Sequence, residues 1–188
     1  AAGLVAATPP QAGWAVTEPV TTTLLAGNVI VASAGDGIEI GGTGARGNAV
    51  EGNAIGVTAT GAPAGNADHG IFLDGAPANA VGGPDGAGNV IAANGGSGVA
   101  VVGIGARRNR LVGNAIGVAP SSRPSSTLTT GNRGEGVLLL GASDTAVGEP
   151  ADGGVGRGNA IAANGGAGVR IAGDGTDRNR VTANRIGV

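Results

Sequence analysis

Apolar residues recur along this chain singly or in short runs, set between small and polar residues in a hexamer written Asn-x-Φ-x-x-Asn, where Φ is Ile, Val or Leu. Asn109-Arg-Leu-Val-Gly-Asn114 is the clearest copy. Others run from Asn48 to Asn53, Asn89 to Asn94, Asn159 to Asn164 and Asn179 to Asn184; a sixth, from Asn28, ends on Ser33. Starts such as Asn28 and Asn48, Asn89 and Asn109, or Asn159 and Asn179 lie twenty residues apart. A fixed period of this length predicts a solenoid.

Three kinds of turn follow from the pattern. The first joins the hexamer to a Gly-rich corner and a second strand, as in Asn89 to Val101 and Asn159 to Ile171. The second runs Asn-x-Φ-x-x-Asn-x-Ile-Gly-Val, at Asn48, Asn109 and Asn179. The third lacks the hexamer: Gly70-Ile-Phe-Leu continues to Asn79-Ala-Val-Gly-Gly-Pro84, and Gly136-Val-Leu-Leu to Thr145-Ala-Val-Gly-Glu-Pro150. Gly3-Leu-Val-Ala with Trp14-Ala-Val-Thr-Glu-Pro19 matches this third kind. The chain then reads as one domain, 1–188, in three triplets beginning at Gly3, Gly70 and Gly136 (3–69, 70–135 and 136–188). That makes about nine turns, a stack of roughly 43 Å at about 4.8 Å per strand spacing. Ile91, Leu111, Ile161 and Val181 are expected in one inward column with Ile30 and Val50. Parallel crossovers are right-handed, so the expected fold is all-β, a right-handed parallel β-helix.

Composition agrees. There are 41 Gly in 188 residues, one Trp, one Phe and no Tyr, Met or Cys. With so few aromatics, a core has to be assembled from many small aliphatic side chains, which a stack of short strands does. The net charge is only −2, and the apolar positions hold register, which argues against disorder. Without Cys there are no disulfides and no thiolate metal sites. No apolar run approaches the roughly 20 residues needed to span a bilayer. The 11 basic residues read as scattered among 13 acids, so no nucleic-acid face is expected.

The hexamer asparagines are assigned a structural role. Stacked identical Asn side chains form hydrogen-bonded ladders, and the expected rungs are Asn28, Asn48, Asn53, Asn89, Asn94, Asn109, Asn114, Asn159, Asn164, Asn179 and Asn184. Two loops, 58–69 and 119–135, interrupt the repeat at equivalent places and would project from one side, open to a surface or a polysaccharide.

The motifs Gly88-Asn-Val-Ile-Ala-Ala-Asn94, Asn114-Ala-Ile-Gly-Val118 and Gly70-Ile-Phe-Leu resemble the repeats of bacterial right-handed parallel β-helix repeat proteins. The resemblance implies an extracellular or cell-surface location. It also implies a pectin-lyase-like fold, whose wider membership includes polysaccharide lyases, hydrolases and epimerases. A related calcium-binding solenoid motif, Gly-Gly-x-Gly-x-Asp, is not matched: Arg46 and Arg170 stand where Asp is needed.

Little in the sequence suggests chemistry. His69, the sole histidine, follows Asp68 and precedes Asp74 by five residues, but Glu135 takes its place in the next triplet. Glu39 has Ala100 and Arg170 as counterparts, and Asp74 has Leu140. No acidic column forms, and no catalytic, cofactor or metal residue is expected. The phasing suggests instead that the chain starts and stops with a triplet. An open strand edge templates pairing, and a head-to-tail contact produces a filament. The expected role is therefore structural and non-enzymatic: self-association through Gly3, Leu4, Val5 and Ala6 at one end and Arg185, Ile186, Gly187 and Val188 at the other, or service as a stalk. A carbohydrate-active or carbohydrate-binding β-helix is the alternative, to be signalled by a carboxylate cluster or a surface lined by Trp14 or Phe72.

Overall fold

A computed structural model describes residues 14–16, 23–84, 86–118, 131–150 and 158–187, with side chains from residue 23 onward. Its strands, numbered in chain order, form three parallel sheets. The first holds β1 (Trp14–Val16), β4 (Ile38–Gly41), β7 (Ile71–Asp74), β10 (Val99–Val102), β13 (Val137–Leu140) and β16 (Val169–Ala172). The second holds β2 (Leu24–Ala26), β5 (Ala49–Glu51), β8 (Ala80–Val81), β11 (Arg110–Leu111), β14 (Ala146–Val147) and β17 (Arg180–Val181). The third holds β3 (Val29–Ile30), β6 (Ala54–Ile55), β9 (Val90–Ile91), β12 (Ala115–Ile116), β15 (Ala160–Ile161) and β18 (Arg185–Ile186). Every third strand returns to the same sheet, so each coil has three sides. The chain has the right-handed parallel β-helix fold.

The described residues make six coils, so the nine turns read from the sequence are not nine coils. The reason is that nine two-strand turns and six three-strand coils both contain 18 strands. Each kind of turn read from the sequence spans two sides of a triangle: third sheet then first, second then third, and first then second. Three such turns are two complete coils. The expected inward column also divides. Val50, Leu111 and Val181 lie in the second sheet with Leu25, Val81 and Val147, whereas Ile30, Ile91 and Ile161 lie in the third with Ile55, Ile116 and Ile186. The N-terminal alignment shifts too: Trp14–Val16 pairs with Ile38–Ile40 in the first sheet, not in the second sheet where Thr145 to Pro150 leads.

Side chains alternate along each strand. Ile38, Ile40, Ile71, Leu73, Val99, Val101, Val137 and Leu139 of the first sheet fill the interior against the aliphatic columns of the other two. This packing also explains the Gly that precedes each first-sheet strand. A Cβ on Gly70 would lie 2.5 Å from Ile91 Cγ2 and 2.7 Å from the Gly98 carbonyl oxygen.

Insertions alternate between two corners. In coils 2 and 4 the long connection follows the third-sheet strand, after β6 and after β12. In coils 3 and 5 it follows the second-sheet strand, after β8 and after β14. The corners in between are tight.

Candidate functional site

The polar interior comes first, because it fixes everything outside it. Three asparagine ladders run along the stack, one per corner. In the middle corner, Asn28, Asn53, Asn89, Asn114, Asn159 and Asn184 form an unbroken column: each backbone N–H and each Nδ2 donates to the next Oδ1 at 2.8–3.0 Å. The amides also tie back one coil, as in Asn114 Nδ2 to the Val81 carbonyl at 2.9 Å. The corner before the second sheet holds Asn48, Asn79, Asn109, Thr145 and Asn179. The corner before the first sheet holds Ser33, Asn66, Asn94, Asn132 and Asn164. One hexamer thus serves two different pairs of corners. Asn66, Asn79 and Asn132 escaped the sequence reading, two of them because they sit at the ends of long insertions. The signal of Asn66 and Asn132 is the spacing Asn-x-x-x-Gly-Φ, seen in Asn66 to Ile71, Asn94 to Val99 and Asn132 to Val137; Asn79 instead opens Asn-x-Val-Gly, as Thr145 does in Thr-x-Val-Gly.

The outer face of the first sheet carries a polar cluster at coils 2 and 3. Glu39 lies directly across from Phe72, and Gly41 from Asp74. Gly41 leaves room for the Glu39 carboxylate, whose Oε1 would be 3.7 Å from a Cβ there. Burial raises the Glu39 pKa above its ordinary 4.5, and the charges of Asp36 and Asp74 push the same way. Burial also raises Asp36, against the lowering effects of the His69 backbone N–H and imidazole; Asp68 adds to the rise. The His69 N–H donates to Asp36 Oδ1 at 2.8 Å, and His69 Nδ1 accepts the Ser97 N–H at 2.9 Å. Its ring lies 5.5 Å from that of Phe72, centroid to centroid. The cluster therefore draws Asp36, Glu39, His69, Phe72 and Asp74 from three different columns, which is why no single acidic column announced it. His69 is bound into the coil rather than loose on a solvated corner. Farther along this face the character changes: Ala100 is fully covered, Leu138 and Leu140 face outward, and Arg170 pairs with Glu135 at 3.2 Å.

A second charged surface lies at the edge between the first and second sheets, in coils 4 to 6. Arg107 and Arg108 are exposed there. Arg178 holds Asp144 through two bonds of 2.7 and 3.0 Å, and these keep the Asp144 pKa below its ordinary value, with Arg108 and Arg107 adding to the effect. On the second sheet, Arg110 and Arg180 both align with Ala146, and Arg110 is paired with Glu149. Reading the arginines as scattered was mistaken: ten of the eleven follow residue 100.

Of the residues expected at the ends, Arg185 and Ile186 pair with Ala160 and Ile161, and Gly187 donates to the Ile161 carbonyl at 2.8 Å. Gly3, Leu4, Val5, Ala6 and Val188 lie outside the described residues, as does most of the 119–135 loop. Among the described residues no group of three His, Asp or Glu side chains is placed to hold a metal ion, and no helix is long and apolar enough to cross a membrane.

No family model and no curated protein matches this chain. Among solved structures it is similar to the A-module of an Azotobacter vinelandii mannuronan C-5 epimerase, with a TM-score of 0.62 and 18% sequence identity. The similarity covers 94% of this chain and 44% of that one, so the chain spans less than half the length of that neighbour.

Proposed function

We propose that this chain is a carbohydrate-recognising β-helix segment of an extracellular or cell-surface protein, with its sugar contact on the outer face of the first sheet at coils 2 and 3. The observation that carries it is Glu39 facing Phe72 across neighbouring strands, with the charges of Asp36 and Asp74 acting on Glu39. An aromatic ring supplies an apolar platform for a sugar face, and carboxylates accept from hydroxyl groups. The structural neighbour belongs to an enzyme named for a polysaccharide; at that identity it supports the fold, and the sugar contact rests on the residues. The test is calorimetric or NMR titration with a panel of neutral and charged oligosaccharides. Phe72→Ala should weaken binding by about fivefold or more, the size expected of one lost aromatic contact. A panel without a binder, or binding indifferent to Phe72, sinks the idea.

A second reading is structural: a stalk, or a filament built head to tail. It is favoured by the regularity of the stack: six parallel strands in each sheet, tied from coil to coil by an unbroken asparagine column. Electron microscopy over a concentration series tests it: uniform fibres support self-association, and isolated short rods at every concentration oppose it.

A further inference from the structure

We propose that the outer face of the first sheet, from coil 2 to coil 6, docks a second copy of this chain. The two copies pack face to face about a two-fold axis at coil 4, with Arg170 of each set between Glu39 and Asp74 of the other. The pair forms without sugar. Because it covers Phe72, a sugar and a second copy exclude each other at coils 2 and 3.

Large apolar side chains outside the core concentrate on this face. In coils 3 to 5 its outward positions are Phe72 and Asp74, Ala100 and Val102, and Leu138 and Leu140. The same coils present Ala80, Arg110 and Ala146 on the second sheet, and Val90, Ala115 and Ala160 on the third. Ala100 is fully buried between its neighbours in register, Phe72 and Leu138, whereas Leu140 is 40% exposed. A contiguous apolar strip with a charged rim marks an interaction surface.

Charge changes sign along the strip. Coils 2 and 3 carry Glu39 and Asp74, and coil 6 carries Arg170. Gly41 lies in register with Asp74 and close to the Glu39 carboxylate, so the surface is hollow between the two acids. Arg170 donates from Nη1 to Glu135 at 3.2 Å, and its side chain is 60% exposed; Nε and Nη2 have no acceptor among the described residues.

A two-fold axis normal to the sheet at coil 4 reverses both the stack and the strand direction. Coil 2 of one copy then faces coil 6 of the other, and the first outward position of a strand faces the second. Arg170 falls on Gly41, with Glu39 and Asp74 beside it. Phe72 falls on Leu140, and Ala100 on Val102. Leu138 falls on Asp74, one coil from the guanidinium. Each contact occurs twice, as an isologous interface requires, and packed sheets keep their strands within about 30° of one another. The strands of this face cover roughly 24 Å by 13 Å, less than half of the about 800 Å² per partner of a standard interface. The pair is therefore reversible and depends on concentration.

The test is sedimentation equilibrium of the full chain over a wide concentration range, at low and high salt. The parent should approach twice the monomer mass, go no further, and dissociate in part as salt rises. Leu140→Asp should weaken the pair by about tenfold or more, since it sets an unpaired charge against Phe72. Asp74→Arg and Arg170→Glu should each stay monomeric alone and pair when mixed in equal amounts, because the mixture restores both opposite-charge contacts. Arg180→Ala, on the second sheet, should leave pairing unchanged. Asp74, Leu140 and Arg170 are exposed, so an unchanged melting transition checks folding. A parent that is monomeric throughout overturns the proposal, as does a mixture that stays monomeric. Species that lengthen with concentration regardless of Leu140 are end-to-end stacks and overturn it as well. Failure of every oligosaccharide to bind leaves the paired mass unchanged and bears on the sugar contact alone.

Discussion

Asn109 and Thr145 are neighbours in the corner before the second sheet, and the ladder breaks between them. Asn79 donates to Asn109 Oδ1 at 2.8 Å, and the Thr145 N–H to Asn179 Oδ1 at 2.9 Å. The Asn109 backbone N–H, in a residue 1% exposed, has no acceptor among the described residues. Thr145→Asn should close the gap by adding the missing carboxamide. The expected gain is about 1 kcal/mol, the net worth of one or two buried hydrogen bonds, read as a higher urea midpoint at unchanged slope.

The converse holds where the ladder is intact. Asn114 accepts from the Asn89 N–H and Nδ2, and donates to Asn159 Oδ1 and to the Val81 carbonyl. Asn114→Ala strips partners from several buried groups at once, and should cost about 3 kcal/mol or more. Asn114→Asp should also destabilise at neutral pH, since a carboxylate cannot donate to Val81. Equal stability of the parent and Asn114→Ala in urea would refute the energetic role given to the column.

Two glycines separate strain from collision. Gly75 has φ +61° with open space around it, whereas a Cβ on Gly88 would lie 1.8 Å from the Gly113 carbonyl oxygen. Gly75→Ala should cost about 1 kcal/mol, the penalty of a side chain in the left-handed region. Gly88→Ala displaces backbone in the neighbouring coil and should cost about 3 kcal/mol. Thermal melts of both variants check the order.

The first-sheet cluster makes stability depend on pH. Asp36 and Glu39 have folded pKa values raised above their ordinary 3.8 and 4.5. The folded state therefore holds those protons more tightly, and the stability they contribute below these values is lost as pH rises through the raised ones. Glu135, lowered chiefly by hydrogen bonding to its own backbone and also by Arg170, acts in the opposite sense and loses its contribution as pH falls. The Asp36→Asn, Glu39→Gln double variant removes only the first effect. It should gain on the parent between about pH 4 and pH 7, measured as urea midpoints across that range. A difference that stays constant with pH would argue against the assignment.

The sequence reveals strands, corners and inward positions because each has a local cause: alternation, a Gly against Ile91, an Asn at a corner. It does not reveal which corner a hexamer occupies. Asn89 and Asn109 begin the same six-residue pattern, yet one stands before the third sheet and the other before the second. The pattern records one side and its two corners, and a three-sided coil needs a longer frame. Asn132 was hidden for a related reason, since an insertion separates it from the preceding strand. The Glu39, Phe72 and Asp74 grouping depends on which strands lie side by side, which the coil frame alone decides. The arginine bias past residue 100 was legible all along, as a count by halves.

The alternation of insertions explains the size of the internal duplication. Gly70 and Gly136 are 66 residues apart, the length of two coils rather than one. Copying a single coil would set like insertions one step apart, about 4.8 Å, too close for two looped segments to lie side by side. Copying a pair keeps a bare corner between them. The decorated edges thus behave as two lanes with reserved clearance, and segments in either lane are free to lengthen and diverge without disturbing the shaft that carries them.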